Sequence, residues 1–241
     1  MRRFIKYASI SLGVLLLVGV LGFYIWSQQT YEASGNLEEW VVQVDQTDFG
    51  VVYEPNGEPE GGVVLYPGAK VEPEAYSYIA EKLSENGFVT GVPDVRLNLA
   101  LLDTNKAQEL MDQYPSVEKW YIGGHSLGGV AAASFVSQHE TDGLILLAAY
   151  PTEGNSFENT DFPILSIYAE NDGLTTLGKV EETEEYLSDQ TTMYKIEGGN
   201  HAQFGVYGEQ KGDMAADISV MEQQDEIVQV ILEWLRQSDD S

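Results

Sequence analysis

Gly124-His125-Ser126-Leu127-Gly128 lies between the apolar run Trp120-Tyr121-Ile122-Gly123 and the small-residue run Gly129-Val130-Ala131-Ala132-Ala133-Ser134-Phe135-Val136-Ser137-Gln138. The first run reads as a strand and the second as a helix, so the pentapeptide reads as the tight turn that joins them. It fits Gly-x-Ser-x-Gly, the nucleophile elbow, in which a sharp turn lifts a serine hydroxyl off a sheet and aims it at a helix N-terminus. Glycines at 124 and 128 supply the space and the permissive backbone for that turn. In a glycine-rich loop the pattern would carry little, but here the strand–turn–helix setting is present.

A serine at an elbow needs a base, and the base needs an orienting acid. After a nucleophile elbow these should follow in chain order, acid and then histidine. The chain has three histidines. His125 adjoins the serine, where neighbouring side chains diverge. His139 lies at the far end of the following helix, roughly 20 Å away at 1.5 Å per residue, and reads as a cation near a helix C-terminus. His201 remains, in the loop after the strand at 192–196. For the acid, Asp172 in Asn171-Asp172-Gly173 suits a tight turn at the C-terminal end of the strand at 163–168. There it would accept the Nδ1 proton of His201 and fix its tautomer. Glu170 competes for this role, while Asp161 stands at the wrong end of that strand.

Developing negative charge on a substrate oxygen needs two backbone donors. One is expected from Leu127, the residue after the serine. The other is expected from Ala69, in the loop opened by Gly68 after the strand at 62–66. Lys70 beside it, and Arg96 after the strand at 88–92, are candidates for attracting an anionic substrate group, against the plainer reading of solvated surface cations. After His201, the run Ala202-Gln203-Phe204-Gly205-Val206-Tyr207-Gly208 is too glycine-punctuated for a long helix. Gln203, Phe204 and Tyr207 are substrate-pocket candidates, the alternative being that both aromatics bury against the core.

Four stretches together resemble the α/β-hydrolase superfamily, in particular its compact bacterial group often labelled fold-5. They are Tyr66-Pro67-Gly68-Ala69-Lys70-Val71-Glu72-Pro73-Glu74-Ala75-Tyr76, Gly123-Gly124-His125-Ser126-Leu127-Gly128-Gly129, Tyr168-Ala169-Glu170-Asn171-Asp172-Gly173 and the run 199–208 around Asn200-His201-Ala202-Gln203-Phe204. The resemblance implies a Ser126–Asp172–His201 hydrolase; it does not imply a substrate. A small-molecule acyl substrate and no cofactor are expected. The sequence departs from many relatives in having Gly68-Ala69-Lys70 where a glycine-richer run is usual, which bears on the Ala69 donor.

The wider pattern predicts an α/β fold with a mainly parallel central sheet covered by helices on both faces. Strands are expected at 39–44, 50–53, 62–66, 88–92, 120–123, 143–149, 163–168 and 192–196, and helices at 73–86, 105–113, 126–138, 176–187 and 219–237. Only eleven residues, 151–161, occupy the place where a lid domain would insert, so no large lid is expected.

Residues 1–30 read as a cytoplasmic stub and a membrane anchor, and 31–241 as the hydrolase domain. The run 7–26 is uncharged and about 30 Å long as a helix, enough to cross a bilayer core. Arg2, Arg3 and Lys6 precede it, which directs the domain outward. A cleaved signal peptide, leaving a secreted protein, is the rival reading, but Tyr31 spoils the small-x-small site at Ala33. The chain has no cysteine, which excludes lipoprotein attachment, disulfides and a thiol nucleophile. All 39 acidic residues follow Tyr31, and the net charge is −27. Nucleic acid is therefore excluded as a partner, and the scattered histidines give no metal-ligand spacing. The expected function is a membrane-anchored, outward-facing serine hydrolase cleaving a carboxylic ester or similar acyl bond. The alternatives are a peptidase or amidase of the same fold, or a non-catalytic surface binding scaffold.

Overall fold

The computed structural model describes residues 2–41 and 46–238. Seven strands form one sheet: β1 (Gly50–Tyr53), β2 (Gly61–Tyr66), β3 (Phe88–Pro93), β4 (Trp120–His125), β5 (Gly143–Leu147), β6 (Ile164–Ala169) and β7 (Thr191–Ile196). Their spatial order is β1-β3-β2-β4-β5-β6-β7. β1 pairs antiparallel with β3, and every other pairing is parallel. Parallel neighbours need crossover connections, usually helical. Here α2 (Ser77–Glu85), α3 (Lys106–Gln113), α4 (Leu127–Val136) and α5 (Leu177–Thr183) lie between strands, and α6 (Val220–Ser238) closes the domain.

Strand side chains alternate between faces, and each face meets its own helical layer. Val63, Leu65, Tyr121, Ile145, Leu147 and Leu165 share a core with Ile79 and Leu83 of α2 and Ile227, Ile231 and Trp234 of α6. Val64, Tyr66, Ile122, Leu144 and Leu146 share the other core with Leu110 of α3 and Ala131, Ala132 and Ala133 of α4. Burial on both faces explains why these strands read as continuous apolar runs. The sheet order reverses between β2 and β4, since the chain leaves β2 toward β3 and returns past it to β4. Ligands of open α/β sheets bind at the carboxyl ends of strands at such a switch point.

The strand expected at 39–44 is corrected over residues 39–41. Residues Gly35–Glu39 form a short 3-10 helix. Leu37 and Val41 are both buried, and the Val41 N–H donates to the Leu37 carbonyl at 3.0 Å. The chain here turns back on itself instead of extending as a strand. Residues 42–45 lie outside the described residues. The helix expected at 73–86 begins as a 3-10 turn, Pro73–Tyr76. Ahead of the domain stands α1 (Arg2–Ser27). Its segment Ser9–Ser27 is, among the described residues, the one helix long and apolar enough to cross a membrane.

Candidate active site

β4 ends at His125, and the chain turns through Ser126 into α4. Ser126 adopts φ 52° and ψ −119°, a conformation that costs a non-glycine residue about 1–3 kcal/mol and persists only where surroundings enforce it. The Ser126 N–H donates to the Leu147 carbonyl at 2.9 Å, and its own carbonyl accepts from Gly129 at 3.0 Å. The turn is also closed sterically. A Cβ at Gly124 would overlap the Gly128 backbone, and one at Gly128 would overlap the Tyr66 and Pro67 carbonyls at the end of β2. The half-buried Ser126 therefore sits at the β2/β4 switch point.

Asp172 follows β6 and His201 follows β7, and these strands are neighbours in the sheet. The His201 Nδ1–H donates to Asp172 Oδ2 at 2.8 Å. Asp172 Oδ1 accepts from the backbone N–H groups of Leu174 at 2.8 Å and Thr175 at 2.6 Å. Both side chains are buried, at 1% exposure or less. A carboxylate only accepts, so Nδ1 carries the proton and the Nε2 lone pair stays open. Nε2 is buried and has no protein partner. The His201 ring lies 4.6 Å from that of His125, the residue before Ser126. The competing carboxylates are elsewhere. Glu170 accepts from the Gly198 N–H at 2.9 Å, and Asp161 is exposed before β6. His139 lies beyond the C-terminus of α4, with Nδ1 2.9 Å from the Phe135 carbonyl.

Two supports escaped the sequence reading. Asp213 Oδ1 accepts from Gly173 at 3.0 Å and from Met214 at 2.8 Å, while Oδ2 accepts from Ala202 at 2.8 Å. One carboxylate thus clamps the loop carrying Asp172 to the loop carrying His201. No local spacing marks Asp213, because Gly173 and Ala202, the partners that make it a clamp, lie 40 and 11 residues away. The second support is a relay from elbow to loop. The Gly68 N–H donates to the Tyr76 hydroxyl at 2.9 Å, and that oxygen lies 2.8 Å from His125 Nδ1. With the Tyr76 oxygen already accepting, its proton goes to Nδ1, leaving His125 neutral with its own proton on Nε2. This ties the loop carrying Ala69 to the residue before Ser126. The N–H groups of Ala69 and Leu127 have no protein acceptor among the described hydrogen bonds.

Burial, then the neighbouring His201, hold the His125 pKa well below its ordinary 6.5, partly offset by the His201 backbone. The unfolded chain therefore takes up a proton on this histidine that the folded chain refuses. Its contribution to stability is full above about pH 6.5 and declines as pH falls, by up to about 1.4 kcal/mol per pH unit. Denaturant titrations between pH 7 and pH 5 should show a shallower pH slope for His125→Gln than for the parent chain. Parallel slopes would remove His125 as a source of acid lability.

The four pocket candidates are placed as follows. Phe204 is fully buried, its ring stacked on His125 at 5.7 Å. Tyr207 is buried too, packs on Tyr31 at 5.7 Å and donates to Gln210 Oε1 at 2.8 Å. Gln203 reaches the Ile218 carbonyl at 3.3 Å and lines a cavity of about 210 Å³ with Trp40 and Val220. Lys70 lies over the Trp26 ring, 4.6 Å from its centroid. Arg96, read as a possible anion attractor, pairs with Asp103 at 2.8 Å. The two aromatics are thus core residues in contact with the site rather than an open pocket wall. Phe204→Ala should cost about 3–5 kcal/mol of stability, read by denaturant unfolding, with an unchanged preference among p-nitrophenyl esters of different chain length. A tenfold change in that preference at near-normal stability would return Phe204 to the pocket.

The fold of the chain is shared with solved structures. A thermophilic esterase from the planctomycete Thermogutta terrifontis, Est2, superposes in its native form with a TM-score of 0.54 at 14% identity, over 76% of this chain and 85% of that one. Its butyrate-bound form gives 0.58 at 14%, over 77% and 88%. No curated protein matches. The sequence matches the profile of the alpha/beta hydrolase family over residues 62–225, a span that holds the elbow, the buried Asp172–His201 pair and the Ala69 loop. A doubly covered parallel sheet with a strained serine at its switch point is accounted for by that match: the chain belongs to the alpha/beta hydrolase family.

Proposed function

We propose that this hydrolase is a serine esterase held in a membrane by α1, with its catalytic domain on the outer side. The observation that carries the reading is the buried Asp172–His201 hydrogen bond, with an open Nε2, beside the strained elbow serine. Ser126 Oγ attacks the ester carbonyl while His201 Nε2 takes its proton. Asp172 holds the tautomer and balances the imidazolium. The N–H groups of Leu127 and Ala69 receive the oxyanion. His201 then returns the proton to the leaving alcohol, and the acyl group stays on Ser126. Water, deprotonated by His201, hydrolyses that acyl-enzyme and restores the serine. The butyrate-bound form of the similar esterase makes short acyl esters the first probes.

Retention of the anchor is supported by how the chain leaves α1. Tyr31 bridges Val71 in parallel, its N–H donating to the Lys70 carbonyl at 2.7 Å and its carbonyl accepting from Glu72 at 3.1 Å. The Ser34 N–H donates to the Val206 carbonyl at 2.8 Å. Cleavage near Ser34 would strip the domain of the Tyr31 bridge. Arg2, Arg3 and Lys6 orient the helix by the positive-inside rule. The test is a membrane-impermeant fluorophosphonate applied to intact cells. It should label the chain, and a carbonate wash should leave the label in the membrane pellet. Absence of label from active, purified protein would refute the serine mechanism, and label on a soluble product starting near Ser34 would refute the anchor.

A further inference from the structure

From the way α1 joins the domain, we propose that the catalytic face rests on the lipid surface and draws its acyl esters from the bilayer. This deepens the reading of a membrane-anchored esterase and rests on it. The junction has no linker. Trp26, near the end of α1, is 46% exposed, yet its ring lies under the ammonium of Lys70, next to Ala69. The following residue, Ser27, is fully buried, and its carbonyl accepts from Asn98 Nδ2 at 2.9 Å. Lys70 and Asn98 belong to the loops after β2 and β3. A span entering the bilayer at Trp26 therefore leaves the domain at the carboxyl edge of the sheet, the edge that carries Ser126. Without slack between span and domain, that edge is held at headgroup level.

A second observation concerns where apolar surface remains. Beyond α1, the exposed large hydrophobic side chains among the described residues are Leu101, Leu102, Leu174, Leu177 and Met214. Single exposed leucines are ordinary on a soluble protein. These five, however, all lie in segments that follow the carboxyl ends of β3, β6 and β7, and none lies at the opposite edge. Leu174 and Met214 flank the site itself, on the two loops that Asp213 clamps together. The chain carries a net charge of −27, so attraction to anionic lipids does not supply the contact. Insertion of an apolar rim does, and an ester whose acyl chain lies in the bilayer then reaches Ser126 without crossing water.

The absence of cysteine makes the test direct. Full-length Leu102→Cys and Glu118→Cys, each carrying an environment-sensitive fluorophore, are reconstituted in phosphatidylcholine vesicles containing a brominated-acyl phosphatidylcholine. Glu118 is exposed at the opposite edge, just before β4. The label at 102 should be blue-shifted and quenched, and the label at 118 should be neither. In the same vesicles, the double variant Leu101→Gln, Leu102→Gln should lose at least tenfold in kcat/KM toward 4-methylumbelliferyl oleate, with turnover of water-soluble p-nitrophenyl acetate unchanged. Equal quenching at 102 and 118, or equal loss on both esters, would overturn the proposal. Quenching of the label in Leu102→Cys, with neither ester hydrolysed by the parent chain, would instead sink the esterase reading, leaving the docking of this face in place.

Discussion

Ser126→Ala is expected to abolish both ester hydrolysis and fluorophosphonate labelling, with kcat falling on the order of 10⁶-fold, the loss seen when a serine hydrolase is deprived of its nucleophile. That corresponds to about 8 kcal/mol of barrier. The remaining rate would come from the backbone donors at Leu127 and Ala69 and from substrate binding. Stability should hardly change, because alanine keeps the backbone at φ 52° and Ser126 Oγ makes none of the described hydrogen bonds. Ser126→Gly should raise the unfolding free energy by about 1 kcal/mol through release of that strain. The pair separates catalysis from folding: both variants are dead, and only one is more stable. Near-normal turnover by a well-folded Ser126→Ala would falsify the assignment.

The next largest effects are expected at the buried pair. His201→Ala should lose nearly all activity with its circular dichroism intact. Asp172→Asn should drop kcat by about 10⁴-fold, the loss that follows when the orienting carboxylate becomes an amide and the imidazole takes the wrong tautomer. Asparagine retains an oxygen to accept from Leu174 and Thr175, so the loop turn survives and the loss reads the tautomer. His139→Ala and Glu170→Gln should turn over esters at close to the parent rate. If Glu170→Gln were the damaging change, the acid would have to be reassigned.

Much of this arrangement is local and therefore legible in one chain. The elbow is a contiguous string, and its strain follows from neighbours at 124 and 128. Strand runs such as Val63-Val64-Leu65 and Leu144-Ile145-Leu146 are apolar at every position because helices cover both faces. That pattern alone separates a parallel, doubly covered sheet from a half-solvated one. Asp172 was legible from Asn171-Asp172-Gly173 at a strand end, and His201 by elimination among three histidines. Where local pattern misled, residues 39–44 were read as a strand. At 39–41 the chain is instead the end of a 3-10 helix and its cap, and the Val41 N–H turns back to the Leu37 carbonyl.

The tertiary structure decided what depends on residues far apart in sequence. Asp172 and His201 are 29 residues apart and meet because β6 and β7 pair in register. Asp213 clamps their loops, and Tyr76 joins Gly68 to His125 across 49 residues. No periodicity records such partners, since each depends on which strands become neighbours. Phe204 and Tyr207 show the same limit, for an aromatic in a glycine-punctuated loop has one spelling whether it lines a pocket or fills a core. Only packing against His125 and Tyr31 distinguishes the two. The sequence by itself determined the turns, the faces and the order of the candidate site residues, because these are set within a few residues of each site. Strand order, the clamp between loops and the seat of Trp26 on Lys70 were left to the fold, because they arise from burial shared between segments that the chain brings together only on closing its core.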